Sequence, residues 1–375
     1  MKACRYLTLL PLGLALGVVS PLAGQVRLND LVITGGAAME VYLGNFSAIT
    51  VPQVDSTDSA LAGVGHWTAR GGVDFLPSGR RALVLDFDGG VRQFATGGFQ
   101  LRNYAPREHS GRLTMTYGQA LAGGTFTTEA TARARSIADR PPLPLYLSPG
   151  YETYTAKVGY GRSVRPGLDL SMAVTGEMAD YAAPKALPQL DLLDRSSIIV
   201  RTEAVRDSRD PARTDDFSKF GVFANYRYNS YPKQGLGLLR ADHAVGGGVS
   251  YERETERLII RLSLDGRLSR SNAPRVEYNA AVLKGELTWS LGSSTQLDFE
   301  GTLARKRYRN PVQDHLVPGE EGDNASLLYA EITRFMSTEV DASFRFGWQK
   351  VETNISGAYY TRFGGTFFLK VRPGF

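Results

Sequence analysis

The chain has 375 residues, 42% of them apolar and 22% charged, with a formal charge of +5. That surplus is small and no basic tract stands apart from compensating acids, so nucleic acid is not an expected partner. The single cysteine, Cys4, excludes a disulfide framework and a thiolate metal site, and no cofactor motif is apparent.

The opening stretch, MKACRYLTLLPLGLALGVVSPLAGQ, places Lys2 and Arg5 before an apolar run from Leu7 to Val19, then small residues up to Gly24. This is the layout of a secretory signal peptide, and residues 1–24 are expected to be removed on export. The run falls short of the roughly 18–20 residues that a spanning helix needs. Cys4 precedes the apolar core, which does not fit a lipoprotein signal.

From residue 25 to the end the sequence keeps a two-residue rhythm. Strands are predicted near 30–44, 64–76, 81–95, 110–120, 125–136, 151–163, 168–181 and 195–206. They continue near 217–229, 242–253, 257–270, 276–290, 295–308, 325–336, 340–353 and 358–372. Within 257–270, Leu258, Ile260, Leu262, Leu264 and Leu268 share one face, while Arg261, Ser263, Asp265 and Arg267 share the other. A period of two is the strand period. These strands exceed the soluble mode of about 5–6 residues and suit a tilted crossing of a bilayer. Tight connectors such as LAGG (121–124) and VRPG (164–167) alternate with long ones such as NPVQDHLVPGEEGD (310–323). In hydrocarbon every backbone polar group must be paired within the protein, so a spanning sheet has to close on itself. The expected fold is therefore all-β, a transmembrane antiparallel up-and-down β-barrel over 25–375 with about sixteen strands, fourteen being the alternative count.

The last stretch, GGTFFLKVRPGF, puts Phe363, Gly365, Phe367, Leu369 and Val371 on one face, with Phe375 on the same parity. This resembles the C-terminal strand signature of bacterial outer-membrane β-barrel proteins, porins among them; Pro373 stands where the family usually has a bulky residue. The resemblance implies an outer-membrane location and a final strand (Phe367, Leu369, Val371, Phe375) read by the barrel-assembly machinery. It also implies lipid and lipopolysaccharide as surroundings, and a homotrimer as the usual assembly of sixteen-stranded porins.

If the apolar face meets lipid, the charged face lines a lumen. Arg133, Arg135, Arg201, Arg261 and Arg267 then become candidates for selectivity toward anions, with mutual pairing of lumen charges as the plain alternative. Arg305 and Arg307 continue the lipid-facing parity to the rim, where they are placed to meet lipopolysaccharide phosphates. Trp67, Trp289, Trp348, Tyr154, Tyr160, Tyr226, Tyr228 and Tyr251 are candidates for interfacial girdles. No catalytic or metal site is expected: His109 and Ser110 are adjacent, and neighbours on an extended chain point apart. The sequence thus points to a passive pore for small polar, anionic solutes. The alternatives are a non-conducting barrel that binds a partner through its loops, or an outlet for polysaccharide.

Overall fold

The computed structural model describes residues 27–44, 59–75, 81–96, 107–138, 150–183, 188–209, 216–234, 239–309, 325–352 and 359–373. The leader (1–24) and Phe375 lie outside the described residues. The first eight strands are β1 (Arg27–Gly44), β2 (Ser59–Asp74), β3 (Arg81–Thr96), β4 (Arg107–Leu121), β5 (Gly124–Ala138), β6 (Tyr151–Arg165), β7 (Leu168–Tyr181) and β8 (Arg195–Arg209). The second eight are β9 (Phe217–Tyr231), β10 (Arg240–Glu254), β11 (Leu258–Ser271), β12 (Tyr278–Ser290), β13 (Thr295–Tyr308), β14 (Ala325–Phe335), β15 (Val340–Glu352) and β16 (Tyr359–Val371). Each strand pairs antiparallel with its sequence neighbours, and β16 pairs with β1 to close the barrel. The count of sixteen is the expected one.

Three strands begin at least three residues earlier than their sequence pattern predicts, and in β1 the added residues Arg27–Asn29 precede a bulge. β2 starts at Ser59, with Leu61 paired to Val41, and β4 starts at Arg107, which pairs with both Gln93 and Ala138. In both places the ladder outruns the alternation. The starting segments SALAG and REH lack the contrast of large apolar and polar residues that marks a face.

Closure leaves no unpaired edge, which is the condition for a sheet in hydrocarbon. The exterior agrees with it. Ile33, Met39, Leu61, Met172, Ile198, Val245, Leu264, Phe299, Phe344 and Phe367 all point outward, and each has about half its surface exposed. A belt of this kind around the whole barrel is far larger than the apolar patches tolerated on a protein in water. The chain is a transmembrane β-barrel. Among the described residues no helix is long and apolar enough to cross a membrane, so the crossing is made by strands.

The connectors define two mouths. The turn mouth carries the tight links, such as Ala122–Gly123 between β4 and β5, together with the starts of β1 and the end of β16. Ala122 (φ 48°) and Gly123 (φ 76°) both lie in the left-handed region, as the commonest two-residue hairpin requires. The loop mouth carries the long links, including residues 182–194 and 309–324. There a short 3-10 turn, Pro188–Leu193, buries Leu190 and Leu193 completely. Gln234 Nε2 donates to the Leu192 carbonyl at 2.5 Å, and Asp194 accepts from the Tyr181 amide at 2.8 Å. Asp194 also meets Lys233 Nζ at 2.6 Å, and that hydrogen bond holds the Lys233 ammonium above its ordinary pKa.

Candidate functional site: the charged lumen

Strand parity sends every second side chain inward, and the inward residues carry both signs of charge in near balance. They form three groups with different exposure to water.

The first is a chain of ion pairs near the loop mouth. Arg362 (β16) lies 3.5 Å from Glu40 (β1), and Arg92 (β3) binds Glu40 at 2.6 Å. Arg92 also reaches Glu108 (β4) at 3.0 Å, and Arg135 (β5) binds Glu108 at 2.6 Å. Tyr42 donates to Glu40, and Arg92 Nε donates to His66 Nε2 at 3.1 Å. The chain therefore runs across the closing seam and spans β16 and β1 to β5. Its members are largely buried: the Arg135 side chain is 16% exposed and that of Glu40 6%. Arg135 is thus committed to Glu108 and has little surface to offer a passing solute. Across the lumen, Arg240 clamps Asp242 at 2.6 Å and lies 4.2 Å over the Tyr231 ring. Lys306 turns inward onto Tyr278, 4.2 Å from its ring centre.

The second group is a recess of about 310 Å³ on the wall of β4 to β9. Four guanidinium groups line it, Arg112, Arg133, Arg195 and Arg227, against two carboxylates, Glu129 and Glu177. Hydroxyl residues Thr131, Tyr151, Thr153, Thr155 and Tyr181 complete the lining. Arg195 is fixed by Glu177 at 2.9 Å and by the Tyr181 hydroxyl at 2.7 Å. Arg112 donates to Thr114 Oγ1 at 3.3 Å. Arg133 therefore belongs to a basic, hydroxyl-rich pocket. A second recess, of about 690 Å³, faces the wall of β1 to β4 toward the turn mouth and leans acidic, with Asp30, Asp74, Asp86 and Asp88 against Arg70, Arg112 and Arg372. Arg112 and Thr114 border both recesses, so the charge along this wall changes sign across them.

The third group lies toward the turn mouth and is open to water. Arg261 meets Glu252 at 3.0 Å and Glu286 at 3.3 Å, and Lys219 joins Glu252 at 3.6 Å. The side chains of Arg261 and Glu286 are each 53% exposed, although both face inward. Arg201 is 44% exposed, with its guanidinium 4.0 Å over the Phe223 ring and 3.4 Å from Glu203. Arg267 shares the inward parity of Arg261 but lies in the loop-mouth half of β11 and is half-buried. The turn-mouth wall of β14 to β16 is drier: Glu331, only 4% exposed, binds Arg345 at 2.5 Å and Lys370 at 2.7 Å.

The five arginines singled out by sequence all face inward, but they do not converge on one ring. Glu40, His66, Glu108, Arg195, Glu331 and Arg362 were missed, although alternation alone marks them: Glu40, for example, sits between the outward-parity residues Met39 and Val41. Arg305 and Arg307 point outward at the loop-mouth end of β13 and are exposed. His109 and Ser110 leave opposite faces of β4, as expected. The aromatic candidates divide by height. Tyr154, Tyr226 and Tyr228 lie on the outer wall toward the loop mouth, where Tyr226 also meets His243 at 2.8 Å, while Tyr251 and Trp289 lie toward the turn mouth. Trp67 is midway along β2.

No protein-family model and no curated protein matches this sequence. Solved structures resemble it in shape. A BenF-like porin from Pseudomonas fluorescens Pf-5 aligns over 92% of this chain and 99% of its own, at 8% identity and a TM-score of 0.42. A bacterial polysaccharide outer membrane secretin aligns over 92% of this chain and 99% of its own, at 10% identity and a TM-score of 0.40. The Ralstonia pickettii toluene transporter TbuX aligns over 92% and 90%, at 8% identity and a TM-score of 0.35. These likenesses concern architecture and carry no argument about activity.

Proposed function

We propose that this barrel is an outer-membrane pore through which small polar solutes pass passively, with anionic solutes favoured at the basic recess. The observation that carries this reading is the wet inner wall. Inward charges such as Arg201, Arg261 and Glu286 keep 44%, 53% and 53% of their side-chain surface exposed. Charges that filled the cross-section by pairing would be buried instead. A barrel of sixteen strands is wide enough to leave an aqueous channel. Guanidinium groups set among threonine and tyrosine hydroxyls suit a carboxylate or phosphate on a hydroxylated body. Export by the 1–24 leader and recognition of the last strand by the assembly machinery belong to the same proposal. Phe367 and Leu369 present the required outward apolar face, with Val371 on the same parity. The reading assigns no catalytic step and no cofactor.

Planar-bilayer recording tests it. The purified chain is expected to give discrete conductance steps and a reversal potential on the anion side in a salt gradient. Arg112→Glu and Arg133→Glu are expected to move that potential toward cations. Absence of current above the lipid background would remove the pore.

A second reading has its own observation. Inward side chains near the loop mouth are sealed: Tyr42, Phe94 and Tyr231 are at most 1% exposed. A barrel closed at that end would present only its loops to the outside and bind a partner there. Zero conductance together with an intact fold would favour it.

A further inference from the structure

The outer wall of β11 to β15 carries a feature that transport does not use. At the loop mouth, Arg270, Asn279 and Arg307 form a row across β11, β12 and β13. Arg270 Nη1 donates to Asn279 Oδ1 at 3.2 Å, and Asn279 is the register partner of Arg307. Arg305 lies one outward position nearer the bilayer, opposite the small Ala281. Leu264 and Leu268 share the parity of Arg270, and Phe299 and Leu303 share that of Arg305, so all three guanidinium groups are on the lipid side. Beside the row, the carboxylate among the described residues is Glu277, which binds Arg309 at 3.1 Å. Among the described residues none of Arg270, Arg305 and Arg307 has a carboxylate partner.

Cations on a lipid-facing wall are costly unless an anion meets them. Below the row is a second, independent feature. Gly285 and Gly301 are register partners that line an apolar furrow of about 510 Å³, with methyl groups of Leu262 and Leu328 leaning over them. Leu262 and Leu328 form its flanks, Phe299 and Trp348 part of its lining. Arg305 is four residues along β13 from Gly301, a strand distance of about 13 Å. Cationic rim and apolar furrow thus stand in the vertical order of a phosphorylated head and its hydrocarbon tail.

We propose that this face is a docking site for one phosphorylated glycolipid of the outer leaflet. Its phosphates sit on Arg305, Arg307 and Arg270, and one acyl chain lies in the Gly285–Gly301 furrow. Charge-assisted, forked contacts from guanidinium to phosphate supply the affinity, and the furrow selects a tail that leaves the head at that point of the rim. The proposal rests on the outer-membrane half of the reading above and not on conduction.

Native mass spectrometry of the full chain in detergent tests it, with bis-phosphorylated lipid A, the same lipid without phosphates, and phosphatidylglycerol as probes. The expected result is one lipid A per barrel, held more tightly than either other lipid. Arg305→Glu with Arg307→Glu should weaken that binding by about tenfold or more. Gly285→Leu, which fills the furrow, should weaken it with the arginines intact. Arg253→Glu, an exposed arginine at the turn mouth paired with Asp216, should leave it unchanged. If the double reversal does not fold, Arg305→Gln with Arg307→Gln replaces it. Binding equal to wild type in the double variant, or equal binding of phosphatidylglycerol, would overturn the proposal. Conductance of the same preparation reports separately on the pore.

Discussion

Glu108 shows what a single inward side chain contributes. Its two oxygens divide between Arg92 and Arg135, at 3.0 Å and 2.6 Å, on a wall where little water reaches. Glu108→Gln keeps the shape and removes the charge, leaving two guanidinium groups without their shared anion. The expected cost is about 1–3 kcal/mol, measured as a lower urea midpoint for the refolded barrel in vesicles. Arg135 was singled out by sequence as a selectivity residue, and its inward parity was legible. Its commitment to Glu108 was not, because pairing across β4 and β5 depends on register, which alternation does not specify. The basic recess was hidden for the same reason. Arg112, Arg133, Arg195 and Arg227 come from four different strands and meet only once the wall is assembled.

At the scale of the element, the β4–β5 hairpin turns on two residues, and the first of them, Ala122, is held at φ 48° where a Cβ is unfavourable. Ala122→Asn suits that position, and its expected gain is about 0.5–1 kcal/mol, read as a higher unfolding midpoint with conductance unchanged. Elements were legible wherever large apolar and polar residues alternate, as in β11 and β15. They were misjudged at the starts of β2 and β4, where small or uniformly polar residues carry no beat and the neighbouring ladders extend the strand. The 3-10 turn at 188–193 left no clear trace in the sequence. Its Leu190 and Leu193 are buried, and the side chain that holds its Leu192 carbonyl, Gln234, comes from the next loop of the rim.

For the whole molecule, the division between lipid and lumen is the property from which the others follow. Leu264 and Ser263 are adjacent in β11 and face opposite solvents. Leu264→Arg should cost about 2–4 kcal/mol near the bilayer midplane, whereas Ser263→Arg should cost little, both measured by unfolding from vesicles. Equal costs would invert the assigned faces. This division was the most legible feature of the chain, because it repeats in strand after strand and needs no knowledge of contacts between them. The seam between β1 and β16 draws on it in a particular way. Two strands joined only after more than 300 intervening residues must find each other in register. A shift of one position would immerse Arg362 and Lys370 in oil and turn Phe363, Phe367 and Leu369 toward water. The final strand therefore proofreads its own docking: a misaligned closure is penalised at every rung, and the Arg362–Glu40 contact fastens the aligned one.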